Sequence, residues 1–167
     1  AAGGLGDPSA VAAAFSLGAA YVLTGSINQA AIESGSSDRV RSMLAEAGPT
    51  DVTMAPAADM FEMGVEVQVL ARGTMFAMRA RRLHDLYRRH ESLDVLDADD
   101  LRFVEKTCLQ APIDEAWAEC ARFWQGRDPS QVTRAEADPH HKMALLFRKY
   151  LGLSSRWANA GVGDRAI

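Results

Sequence analysis

Apolar and polar positions separate most clearly from Thr74 onward. Phe76, Ala80, Leu83 and Tyr87 recur on one helical face, while Arg81, Arg82, His84, Asp85, Arg88 and Arg89 fill the other. That spacing predicts a long amphipathic helix. The rest of the chain to about residue 160 repeats one device, an aspartate ahead of a helix and often a proline behind it. Asp97 precedes Leu101, Val104 and Cys108, Asp128–Pro129 opens a short helix, and Asp138–Pro139 opens another with Met143, Leu146, Phe147 and Tyr150 on its stripe. Between them Ile113, Ala116, Trp117, Cys120 and Trp124 form an aromatic-rich face, with Gly126 and Gly152 as expected stops. Residues 74–160 therefore read as a helical subdomain whose stripes are core.

The first half has a different rhythm. Asp7 is a good N-cap and Pro8 suits the first helical position, Val11, Ala14 and Phe15 follow at helical spacing, and Gly18 supplies a stop. Ala20 to Thr24 is a short run rich in β-formers, predicted as a buried parallel strand. Asn28 to Glu33 suits a short helix, and Ser37 caps another with Val40, Met43, Leu44 and Ala47 on one face, ended by Gly48 and Pro49. Residues 49–58 read as a connection, Pro56 to Met63 as a helical turn, and Val65, Val67 and Val69 as an alternating, half-exposed strand.

Candidate chemistry lies in two glycine turns. Gly3 and Gly4 precede the first helix, and Gly25 and Ser26 follow the 20–24 run. Glycine lets backbone N–H groups approach an oxyanion without a Cβ in the way, helix N-termini favour its charge, and the Ser26 hydroxyl adds a donor. Spacing alone leaves tight turns as the alternative, because GGxG without a downstream lysine is not a P-loop.

The stretches AAGGLGDPSAVAAAFSLGAAYVLTGSINQA, MAPAADMFEMGVEVQVLARGTMFAMRARRLHDLYRRHESL and RAEADPHHKMALLFRKYLG change the picture. In order, and with GSINQ, DMFEMG and RGTMF as their most specific parts, they resemble the carboxy-terminal portion of the PfaD-type enoyl reductases. These are flavoproteins acting in trans on polyketide and polyunsaturated fatty acid assembly lines, and are similar to nitronate monooxygenases. The resemblance implies an α/β fold in which the carboxy-terminal βα units of a TIM barrel are followed by a mainly α-helical subdomain. The expected divisions are 1–48 as the end of the barrel, 49–73 as a connecting segment and 74–167 as the helical subdomain. FMN would lie with its phosphate on the Gly3/Gly4 and Gly25/Ser26 turns, with NADPH or NADH as hydride donor and a carrier-bound enoyl thioester as acceptor. In that family about six barrel strands precede the glycine turn and a further segment follows, so the chain is expected to be a piece of a longer enzyme. The residues facing flavin and substrate would then lie outside it, and no catalytic residue is named. An acyl carrier protein is the expected partner, together with synthase components. The arginine face of Arg81, Arg82, Arg88 and Arg89 complements an acidic carrier, against the plainer reading of a solvated face with Asp85 four residues from Arg81 and Arg89. Nitronate oxidation on the same barrel, and a non-catalytic helical docking module of a synthase, are the alternatives.

Composition narrows this only at the edges. The 167 residues are 48% hydrophobic with a net charge of −4, which gives no basic surface for nucleic acid. No apolar run approaches the roughly 18 residues of a membrane span, and the start has no signal-peptide pattern, so a cytoplasmic protein is expected. Cys108 and Cys120 sit on apolar stripes and read as reduced core residues. His140 and His141 are adjacent and lack a carboxylate at ligand spacing, so no metal is expected. Gly25-Ser26-Ile27 lacks the second glycine of a nucleophile elbow.

Overall fold

Helix starts follow the capping chemistry closely. In the computed structural model, which describes residues 1–163, Asp7 accepts from the Ser9 and Ala10 amides and Pro8 opens α1 (Pro8–Ser16). Ser37 accepts from the Val40 amide ahead of α3 (Asp38–Glu46). Asp97 caps α5 (Ala98–Arg102), Asp128 caps α7 (Pro129–Ala137), and Asp138 receives the His140 and His141 amides at the start of α8 (Pro139–Ala160). Each cap satisfies amides that the first helical turn leaves without an internal partner. The remaining helices are α2 (Ser26–Gln29), α4 (Phe76–Arg89) and α6 (Ile113–Arg127).

The chain divides into two units, residues 1–50 with 156–163 and residues 51–155. In the first, the expected buried strand at 20–24 is replaced by a single parallel bridge between Ala2 and Leu23, in which the Leu23 amide donates to the Ala1 carbonyl at 2.9 Å. Tyr21 and Leu23 are 65% and 61% exposed. Parallel strands are stable when flanked by neighbours and covered on both faces, and the described residues offer Ala20–Thr24 one short partner. The barrel βα units expected from the resemblance are therefore not formed among the described residues. The sheet that does form lies in the second unit and is antiparallel: β1 (Val52–Pro56) pairs with β2 (Glu66–Leu70), Met54 opposite Gln68. β1 arises within the stretch read as a connection, because β2 lends it hydrogen-bond partners that the Pro/Ala-rich composition of 49–58 does not announce.

The second unit holds the core. Phe61, Leu83, Leu86, Val104, Met143, Leu145, Leu146 and Phe147 are fully buried, and the Phe61 ring packs on His84, Tyr87 and Phe147. α5 runs directly into a π-helical segment, Phe103–Leu109, which ends at Gln110 with φ 54°. Beyond it Glu105 Oε1 accepts from the Ile113 amide at 2.9 Å and starts α6. α8 passes through Gly152 and stops at Gly161, φ 69°. A glycine inside a helix costs only about 1 kcal/mol, and buried Leu151 and Ser154 on either side hold the helix together there.

Candidate functional site

Gly3 and Gly4 follow Ala2, and Gly25 and Ser26 follow Leu23 after Thr24, so the parallel bridge sends both turns off the same end of the pair. Gly3 and Gly4 have φ of 92° and 67°, conformations that favour glycine, and a Cβ placed on Gly3, Gly4 or Gly25 would meet no atom within 4 Å. The four residues are exposed. Gly6 supplies something the motif pattern does not single out: a Cβ there would stand 2.9 Å from Ile27 Cγ2, so its absence lets the two turns approach each other. One expected contribution is already taken. The Asp7 carboxylate occupies the N-terminal amides of α1 and accepts from the Ser9 hydroxyl, bonds that hold its carboxyl below the usual range, and α2 has only four residues. An oxyanion here would be held by glycine amides and the Ser26 hydroxyl rather than by helix ends.

In the second unit the arginine face of α4 is exposed at Arg81, Arg82, Arg88 and Arg89, opposite buried Ala80, Leu83 and Leu86. The four are not equivalent. Arg81 donates to Thr53 Oγ1 and the Met54 carbonyl of β1. Arg82 pairs with Asp100 at 2.8 Å and stacks over the Phe103 ring at 4.0 Å. Arg89 Nε donates to the Asp85 carbonyl at 3.1 Å, and Arg88 stands in the last helical turn, where a cation complements the helix dipole. Beside this face lies the turn Phe61–Met63: Gly64 approaches the His84 ring, and Met63 is 76% exposed. Exposed methionine and exposed arginine are residue types that take an apolar group and an acid respectively.

Buried polar groups form the third feature. Arg79 on α4 is buried, and burial pushes the Tyr150 hydroxyl above its ordinary pKa. Cys108 and Cys120 are buried, and desolvation raises their thiols to about 12 and about 11, far from a nucleophile's range. The adjacent histidines go to different partners. His140 Nε2 lies 2.9 Å from the Tyr87 carbonyl with its ring stacked on Tyr87, whereas His141 Nε2 lies 2.9 Å from Gln131 Oε1. Glu62 joins this group, 3.2 Å from Arg148 and 3.8 Å from His141. Neither Glu62 nor Gln131 carries a sequence signal tying it to His141, since contacts across such separations depend on how α7, α8 and the Phe61 turn pack.

Residues 90–167 match the family described as acyl-carrier-protein S-malonyltransferase, inserted helical domain. The chain is 48% identical over 99% of its length to a polyunsaturated fatty acid synthase component of Thraustochytrium sp., and 44% identical over 96% to polyketide biosynthesis protein PksE of Bacillus subtilis. It covers 11% of the first and 21% of the second, so it spans a small part of these relatives. Among solved structures it is similar to the enoyl reductase domain of MlnA from the macrolactin biosynthesis cluster of Bacillus amyloliquefaciens. The TM-score is 0.89 at 34% identity, over 99% of this chain and 37% of the other.

Proposed function

We propose that this chain is a mainly helical segment of a polyketide or polyunsaturated fatty acid synthase component, and that its second unit docks an acyl carrier protein on the outer face of α4. The observation that carries this reading is the likeness, across nearly the whole chain, to proteins named for those two syntheses. The match of residues 90–167, which begins just after α4, to a helical domain of a carrier-protein acyltransferase is consistent with a setting in which a carrier protein is present. Arg88 and Arg89 would meet acidic carrier side chains, while Arg81 and Arg82 hold the surface in shape through β1 and Asp100. The test is an NMR titration with the carrier protein of the same assembly line. Arg88→Glu with Arg89→Glu should weaken binding at least tenfold at low salt, with the deficit shrinking as salt screens it. Binding unchanged by the reversal would overturn the docking face.

A second reading is favoured by the similar solved structure, an enoyl reductase domain. In it, the first unit grips the phosphate of FMN through the backbone amides of Gly3, Gly4 and Gly25 and the Ser26 hydroxyl. The open space around these glycines fits such a group. FMN bound there would supply hydride relay from NADPH or NADH to an α,β-unsaturated acyl thioester. This chain's part is to bind and orient the phosphate, and Gly6 keeps the two turns together for it. Gly25→Val in the full protein should expel flavin, read by absorbance, while the helical unit keeps its circular dichroism. Full flavin occupancy in that variant would reduce the glycines to turn formers.

A further inference from the structure

Asp128 is an acceptor only, and its Oδ2 receives the Gln131 side-chain amide at 2.9 Å. That orients the amide, so Gln131 Oε1 is the atom 2.9 Å from His141 Nε2, and Nε2 carries the proton and donates. His141 Nδ1 is then a bare lone pair in a residue 2% exposed, with no hydrogen bond among the described residues. It faces Glu62 Oε2 across 3.8 Å, beyond hydrogen-bond reach, while the other oxygen of that carboxylate is engaged by Arg148 at 3.2 Å. One carboxylate oxygen is thus occupied and the other waits opposite an acceptor.

We propose that His141, Glu62 and Arg148 form a proton-operated clasp, in which protonation of Nδ1 turns the lone pair into a donor aimed at Glu62 Oε2 and fastens segment 58–64 to the start of α8. The proton comes from solvent, an N–H bond forms at Nδ1, and Nε2–H keeps its bond to Gln131. Arg148 already holds the same segment through the Ala58 carbonyl at 2.9 Å, so the new bond closes a second point of attachment a few residues on. The charges around the ring set how hard the clasp is to close. Arg134 on α7, Arg148 on α8 and the positive end of α8 oppose a charge on His141, Glu62 and Asp138 favour it, and burial, the largest influence, lowers its pKa below the ordinary imidazole value. The clasp is therefore open at neutral pH and closes only below the ordinary imidazole range.

Long-range proton–nitrogen NMR of the full chain tests this. At neutral pH His141 should be the Nε2–H tautomer, and it should titrate below the ordinary imidazole range. Glu62→Gln keeps the shape of the side chain, removes its charge, and should move that titration lower still. Because burial makes the proton costly to the folded state, amide protection across 58–64 should fall less in the parent than in Glu62→Gln as His141 protonates, by the part that the new bond to Glu62 offsets. An Nδ1–H tautomer in the parent, which needs no variant to observe, would overturn the clasp. So would equal titrations in parent and variant, or protection that changes alike in both.

Discussion

Residues 51–155 enclose Phe61, Leu83, Val104, Met143 and Phe147, whereas among the described residues of the other unit Ser36 alone is buried, and Phe15, Leu17, Tyr21, Leu23 and Ile32 are exposed. Both regions start their helices with the same aspartate, serine and proline devices. What differs is the area each helix brings. α1 is PSAVAAAFS, its apolar positions mostly alanine, and has little apolar surface to bury, while α8 carries Met143, Leu145, Leu146, Phe147, Tyr150 and Leu151 into one core. Capping decides where helices begin, and side-chain size decides whether they gather into a core.

The largest expected contrast tests that difference directly. Phe147→Ala should cost about 3–5 kcal/mol and Leu83→Ala about 2–5 kcal/mol in urea unfolding, since both leave cavities in a closed core. Leu17→Ala in the first unit should stay within about 0.5 kcal/mol. Equal costs at the two places would break the contrast. Next comes Gly6→Val, which forces a branched side chain against Ile27 and should cost about 1–3 kcal/mol of local stability. Hydrogen exchange should then quicken over the two glycine turns and leave α4 and α8 unchanged.

Asp138→Ala, removing the cap of the main core helix, should cost about 1 kcal/mol in the same unfolding assay. Acidification should act through His141 in a separate window. Its folded-state pKa lies below that of the unfolded chain, so the unfolded state takes up the proton first. The stability it contributes is fully present above about pH 6.5 and is lost as pH falls toward the folded value. His141→Gln should flatten that part of the profile. The lowered carboxyls of Asp7, Asp128 and Asp138 act in the same direction only near and below about pH 4, so the two windows are distinguishable. The smallest effect belongs to Arg88→Glu, within about 0.5 kcal/mol for an exposed charge. Arg82→Glu should cost more, because it also breaks the pair with Asp100 and the stack on Phe103.

Much of this molecule is readable from neighbours in the chain. Asp7–Pro8, Ser37, Asp97, Asp128–Pro129 and Asp138–Pro139 mark helix starts because a cap needs only amides two or three residues away. The alternation at Val65, Val67 and Val69 marks β2, and the Phe76-to-Tyr87 spacing marks α4, because side-chain periodicity is a property of each element alone. The residue types of the glycine turns are equally plain. What packing alone decided begins where a residue's fate depends on a distant partner. Ala20–Thr24 has the composition of a buried strand and lies exposed but for one bridge. Val52–Pro56 lies in the Pro/Ala-rich stretch 49–58 that reads as a connection, and becomes β1 because β2 returns beside it. Gly152 would end a helix in water, yet α8 runs through it between buried Leu151 and Ser154. The nearness of Gly6 to Ile27, the anchoring of Arg81 on β1 and of Arg82 on Asp100, and the line from Gln131 through His141 to Glu62 all join residues well separated in the chain. Local chemistry acts within a turn or two of backbone, and only the closing of the core sets which of the remaining side chains meet.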